Sequence, residues 1–378
     1  AEMSDIKAVW YLSEGIENIQ KNDTEFSFTS NVNGTETPFS ITFPTEGGFR
    51  LHTDSKGFFE PSGTEKIKYD EKDKKITLTS ESGTVIIFDH SSKVWEINAY
   101  NDDGKNVYTL SQRQLRFGYS EGKLVKVRVD GSISTGEYLT GLGERYSALA
   151  LNGKTYPLWN TDNWSEGDGS YVNVPFMHST KGYSIFINNT YGAQADIGNT
   201  ISKMYYFSFN GPDLDLYVWA KQPLESIECY TALTGRPFTV PKWSFGYWAG
   251  GTGAYWSSEN GNGKTEIDLV KKVVEGYKKL GTMPVALYGE AVPSNTKSIY
   301  DYLKSNNIYM LGWNHPAATW DIKNFNLDIL RQLCPGISDS ELPGIKQKSN
   351  PSRFYGEWIW GDYTNPNAVT MIKNKMKN

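Results

Sequence analysis

The chain has 378 residues, 38% of them hydrophobic and 14% aromatic, with a formal net charge of −5. That length and apolar content exclude a disordered chain and leave room for two domains. The charge is dispersed and slightly acidic, which gives no electrostatic basis for binding nucleic acid or an anionic membrane, and no apolar run approaches the roughly 20 residues that span a bilayer.

The opening AEMSDIKAVWYL has no basic and apolar leader pattern, so any leader is expected to have been removed or never to have existed. From there to about residue 240 the pattern is β. Lys75 to Asp89 reads as two alternating runs around Ser82-Gly83, a hairpin signal. VWEINAYNDDGKNVYTL repeats the device around Asp103-Gly104, and LVKVRVDGSIS is a strand leading into an Asp130-Gly131 turn. YSIFINNTYGAQADIG and LDLYVWA continue the series. Many short strands with few helical periods predict a large antiparallel, Greek-key-like β-sandwich over 1–240.

The grammar changes at Pro241. TEIDLVKKVVEGYKKLG places Ile267, Val270, Val273, Val274, Tyr277 and Leu280 on one helical face, with Thr265 as N-cap and Gly281 as C′. MPVALYGE then reads as a short strand, Ser294 to Asn306 as a helix pairing Ile299 with Leu303, and IYMLGWN as another buried strand. An irregular insert follows, and FYGEWIWGDY leads to a last helix with Pro366 in its first turn and Val369, Ile372 and Met376 on one face. Alternating apolar strands and helices predict a parallel sheet with crossover helices over 241–378, too few units for the eight of a closed barrel.

Cys229 and Cys334 read as two inert thiols, with a single disulfide between them the alternative. His52, His90, His178 and His315 lack metal-ligand spacing, so zinc chemistry is not expected and no cofactor is called for, while the Asp-rich YNDDGKN leaves a bound calcium open. The Gly-rich stretch Gly250 to Lys264 lacks the phosphate-binding G-x-x-x-x-G-K order and reads as a loop between strand and helix. Twelve Trp and 24 Tyr exceed ordinary core needs; composition leaves open whether they fill an aromatic-rich β core or stack on sugar rings.

Three stretches together carry a resemblance: TGLGERYSALALNGKTYPLWNTDNW (Thr140 to Trp164), YVNVPFMHSTKGYSIFINNTYGAQADIG (Tyr171 to Gly198) and TGRPFTVPKWSFGYWAGG (Thr234 to Gly251). In this order, and with DYTNPNA (Asp362 to Ala368) after them, they resemble glycoside hydrolase family 31, the α-glucosidase and α-xylosidase clan, over essentially the whole chain. The resemblance implies a β-sandwich followed by the first part of a (β/α)8 TIM barrel, incomplete in this chain. In that family the nucleophilic Asp ends a strand that follows the N-P-x-A helix, and the acid/base Asp comes later. The resemblance therefore implies that neither catalytic residue lies in these 378 positions.

What it does imply is part of a substrate site. Asp162, in LWNTDNW, matches the loop Asp that the family offers to sugar hydroxyls; a carboxylate accepts from vicinal hydroxyls. Trp159 and Trp164 beside it either line the pocket or pack the loop. Barrel strands aim their last residues at the catalytic face, which points to Trp248 after the first strand, Glu290 after VALYG, and Trp313, Asn314 and His315 after YML, with Trp358 and Trp360 further on. Common α-glucosidases have a D-x-D-like segment where this chain has YGEAVPS, so Glu290 is the substitute and an unusual substrate or a transglycosylating member is favoured.

The expected function is therefore the front portion of a retaining α-glycosidase or α-transglucosidase. Its partners would be an α-linked oligosaccharide and the remainder of the barrel supplied by further polypeptide. A non-catalytic carbohydrate-binding protein is the alternative, disfavoured because half a parallel barrel leaves strand edges and apolar helix faces bare. Few cysteines and an aromatic-rich composition suit a bacterial extracellular or cell-surface glycanase and equally a cytoplasmic one; the AE start tilts towards the former.

Overall fold

The computed structural model describes residues 7–53, 59–160, 169–251, 266–289, 296–312, 317–319, 346–348 and 357–360, and positions 366, 369, 370 and 373. Contacts divide the chain into two compact units, Ala1–Arg236 with Lys348–Tyr355 and Pro237–Gln347 with Gly356–Asn378.

The first unit is built from antiparallel sheets, as the alternating runs require. An eight-stranded sheet places Leu139–Gly141, Phe176–Ser179, Tyr183–Ile187, Asp215–Trp219, Gly48–Thr53, Thr35–Thr42, Phe26–Val32 and Ser13–Lys21 side by side. A six-stranded sheet runs Val9–Tyr11, Leu115–Ser120, Lys123–Ser132, Met204–Asn210, Ala193–Ile197, Lys154–Leu158. A five-stranded meander joins Ile67–Lys72 through Asn106–Ser111. Both expected hairpins are present, turning at Gly83 (φ 95°) and Gly104 (φ 74°).

Alternate positions face one apolar interior. Phe26, Phe28, Phe39, Phe88, Trp95 and Phe117 are all buried and contact one another, with Phe28 stacked on Phe39 at 5.2 Å and edge-on to Trp95 at 5.3 Å. Part of the aromatic excess is thus core packing.

Two sequence expectations change here. Asp130-Gly131 is no turn: the strand Lys123–Ser132 runs through it, in register with Met204–Asn210. Gly131 is small because the Tyr205 ring occupies its side-chain space; a Cβ there would lie 2.0 Å from Tyr205 Cζ. The stretch to residue 240 also contains a helix, Pro223–Thr234, with Pro in its first turn, Gln222 and Glu225 reciprocally capping, and Gly235 closing it at φ 114°. It covers the outer face of strands Tyr183–Ile187 and Asp215–Trp219, whose residues are buried on both sides: Tyr230 stacks on Phe176 at 4.3 Å and meets Phe186 edge-on at 5.1 Å.

The second unit contains three parallel strands, Trp248–Gly251, Ala286–Gly289 and Tyr309–Gly312, separated in sequence by helices Glu266–Leu280 and Thr296–Ser305. Ala249, Val270, Val274, Leu287, Ile299 and Leu303 are fully buried together, which is the expected helix–strand packing. Leu280 departs from it: at the helix end it is 76% exposed. Gly281 then closes the helix with the paired bonds of a Schellman motif, its N–H to Lys278 O and that of Thr282 to Tyr277 O. Strand Tyr309–Gly312, expected to be buried, has an exposed Tyr309 and no fully buried residue. Within the stretch read as irregular, Ala317–Thr319 pairs antiparallel with Glu357–Trp360, and Lys346–Lys348 joins the same sheet. The expected N-cap Thr265 lies outside the described residues. Among the described residues no helix is long and apolar enough to cross a membrane.

Candidate functional site

The expected substrate loop grows from the G-x-G-E corner. Gly141, Leu142 and Gly143 take three successive left-handed conformations, φ 113°, 65° and 89°. A Cβ on Gly141 would sit 2.5 Å from Phe176 O, and one on Gly143 2.1 Å from Val172 O, so both positions exclude a side chain. Leu142 tolerates the left-handed region because it is wholly buried and its N–H donates to Phe176 O at 2.9 Å. Glu144 N–H donates to Val172 O at 2.9 Å, lacing the corner to the chain that follows the loop.

Arg145 comes next and ties both sides together. Its Nε donates to Leu142 O (3.1 Å), while one Nη reaches Pro157 O (3.2 Å) and Asn173 Oδ1. The guanidinium also lies 5.1 Å from the centre of the Tyr156 ring. Asn160 Oδ1 accepts from the backbone N–H and the Nδ2 of Asn173, each at 2.9 Å. Ser170 Oγ donates to Val172 O (3.0 Å) and to Glu144 O, and Asn160 bridges Ser170. Chain entering at Asn160 and leaving at Ser170 therefore starts and ends at one place. Asp162 lies between these positions in sequence, outside the described residues, as does Trp164; Trp159 is half-buried.

In the second unit the three parallel strands end in register, Gly251 beside Gly289 and Gly289 beside Gly312. Glu290 and Trp313 are the next residues in the chain after two of those glycines; they, Asn314 and His315 lie outside the described residues. Small residues suit this sheet: a Cβ on Gly250 would meet the Tyr288 ring at 2.2 Å.

Trp248 needs a correction. It opens its strand rather than following it, level with Ala286 and Tyr309 at the N-terminal end of the sheet. Its indole donates from Nε1 to Ser244 O (3.1 Å) and stacks on Trp243 at 5.9 Å; Trp243 in turn stacks on Tyr309 at 3.9 Å. The physical reason is the short 3-10 turn Lys242–Phe245, which brings Trp243 under the strand start and draws Trp248 to it. Trp360 ends the strand Glu357–Trp360 and pairs with Ala317.

Arg145, Asn160 and Asn173 were not among the expected site residues. Single polar residues carry no periodic signal, and only the fold shows that three of them converge. Cys229 is a free thiol, half-buried, donating to Glu46 O, and burial raises its pKa; Cys334 lies outside the described residues. Among the described residues there is no cluster of His, Cys, Asp and Glu able to hold a metal.

Comparison with known proteins gives these features a context. Residues 38–196 match the family profile described as the glycosyl hydrolase 31 N-terminal galactose mutarotase-like domain. The alpha-xylosidase of Emericella nidulans is 35% identical over 117 residues, 31% of this chain and 15% of that enzyme. Alpha-glucosidase 2 of Bacillus thermoamyloliquefaciens is 29% identical over 185 residues, 47% of this chain and 22% of that enzyme. Among solved structures, the cycloalternan-forming enzyme from Listeria monocytogenes, in complex with a pentasaccharide substrate, superposes with a TM-score of 0.80 at 16% identity. That superposition covers 98% of this chain and 38% of the other, a likeness of fold. The matches thus span well under half the length of each of these three proteins.

Proposed function

We propose, from the match of residues 38–196 to the glycoside hydrolase family 31 N-terminal domain profile, that the chain is the front portion of a retaining α-glycosidase or α-transglucosidase acting on α-linked oligosaccharides. Residues 1–240 would be its sandwich domain and 241–378 the first part of a (β/α)8 barrel. The parallel order of Trp248–Gly251, Ala286–Gly289 and Tyr309–Gly312 with two intervening helices supports that division.

The observation that carries the reading is the family match across the stretch containing Asp162, whose flanks meet at the clasp of Arg145, Asn160, Ser170 and Asn173. In this proposal Asp162 accepts hydrogen bonds from sugar hydroxyls, and Glu290, Trp313, Asn314 and His315 line the barrel mouth beyond the strand ends, with Trp360 a further contact. Trp248 is left out, since its indole is engaged with Trp243 and Ser244.

Retaining hydrolysis needs one carboxylate to attack the anomeric carbon and a second, about 5 to 5.5 Å away, to protonate the leaving oxygen. We assign neither to these residues; both belong to the remainder of the barrel, the partner this chain requires. An extracellular or cell-surface location fits an enzyme of oligosaccharides. The test is an assay of the purified 378-residue polypeptide on aryl α-glycosides, alone and joined to the missing barrel strands. Turnover should appear only in the joined protein, and Asp162→Asn should raise its KM. Turnover by the polypeptide alone would refute the assignment, and sugar binding without turnover in the joined protein would favour a carbohydrate-binding protein instead.

A further inference from the structure

The outer face of the six-stranded sheet carries an arrangement that neither the core nor the proposed glycosidase site explains. Val127, Val129, Phe117 and Phe207 point into the sandwich and are buried, which turns Arg116 and Arg128 to the opposite face. These two arginines are directly opposite each other across antiparallel strands. Like charges in that position are destabilising by themselves.

A single buried carboxylate holds them there. Asp130 is 1% exposed and accepts from Arg116 Nε with one oxygen (3.0 Å) and from Arg128 Nε with the other. Both guanidiniums are therefore anchored through Nε alone, and their terminal Nη groups make no hydrogen bond among the described residues. Arg128 is further fixed by the Tyr206 ring, its Cζ 3.8 Å from the ring centre. Two positive groups share one negative partner, so one unit of positive charge is left over. The Arg116 side chain is 40% exposed and that of Arg128 is 25% exposed, which makes the pair accessible.

An aromatic platform adjoins the pair. Trp10 is paired with Gly118, two residues along the strand from Arg116 and on the same face. A Cβ on Gly118 would lie 3.1 Å from Trp10 Cζ3, so the absence of a side chain lets the indole lie close against the sheet. Trp10 remains 38% exposed. Diagonal neighbours of this kind are about 7–8 Å apart, within reach of aromatic and long side chains.

We propose that this face binds anionic saccharides: a sugar ring stacks on Trp10 and its carboxylate is received by the Nη groups of Arg116 and Arg128. Guanidinium forks match a carboxylate bidentately, which a pair of lysines would not. The site is independent of the proposed catalytic reading and uses none of its residues.

The test is titration calorimetry of the full chain with tetragalacturonate, with maltotetraose, sodium acetate and sodium sulfate as separate arms. Tetragalacturonate should bind, more weakly as salt rises, and maltotetraose should not. Arg116→Gln with Arg128→Gln should raise Kd at least about tenfold. Because removing both arginines strands the buried Asp130, Trp10→Ala is the second variant; it leaves that carboxylate untouched and should weaken tetragalacturonate several-fold. Equal binding of maltotetraose, no binding of tetragalacturonate, or no effect of Trp10→Ala would overturn the proposal. So would acetate or sulfate binding as tightly as the oligosaccharide, which would mean an adventitious ion only.

Discussion

At the scale of single residues, the informative positions are those where a side chain is excluded. Gly143 combines φ of 89° with a backbone oxygen 2.1 Å from where a Cβ would stand, and a carbonyl cannot swing aside as a flexible side chain can. Gly143→Ala should therefore cost about 1–3 kcal/mol of stability in urea denaturation. Gly63, with open space around it and no left-handed backbone, should accept Ala within about 0.5 kcal/mol. His178 offers a pH test. It is buried, its Nδ1 is 2.7 Å from Ser184 Oγ, and burial lowers its pKa from the ordinary 6.5. As pH falls through that value the unfolded chain takes up a proton that the folded chain refuses. The stability held by neutral His178 is thus full above pH 6.5 and is lost as pH drops towards the depressed folded pKa. Replacing it with Gln should flatten the stability difference between pH 7 and pH 5; an unchanged slope would assign that dependence to His52, whose pKa burial also lowers.

At the scale of elements, periodicity was a sound guide wherever one face alone is buried. The helix Glu266–Leu280 buries Val270 and Val274 and ends at Gly281, all expected from spacing and from glycine's access to left-handed φ. Gly281→Ala should cost about 1 kcal/mol through that closing turn, and Leu303→Ala, at a fully buried position, about 2–5 kcal/mol. Both are measurable as shifts in the unfolding midpoint. Sequence periodicity does not reveal the helix Pro223–Thr234, for a physical reason. Its apolar residues do not form one buried stripe: Leu224 is 83% exposed and Ile227 42%, so the burial rests on Tyr230, Leu233 and Cys229. Its signals were the caps, Pro223 at the start and Gly235 at the end. Asp130-Gly131 failed the other way, because a turn dipeptide also serves a strand that must admit a neighbouring ring.

At the scale of the whole molecule, the apolar cluster spanning Phe26 to Ala220 lies wholly inside the first compact unit. A polypeptide ending at Arg236 should accordingly keep a cooperative unfolding transition and a near-ultraviolet circular dichroism signal from Trp95 and Trp219; a flat signal would mean that the sandwich needs the second unit. The sequence by itself determined the antiparallel character of the first 240 residues, the strand–helix alternation after Pro241 and the family resemblance, because each rests on short-range alternation or on motifs in fixed order. Tertiary structure alone decided which polar residues meet. Arg145 with Asn173, and Arg116 with Arg128 on Asp130, are separated along the chain and joined by strand register, and no local pattern encodes a distance across a sheet. The same holds for Trp248, which stands at the start of its strand and stacks on Trp243.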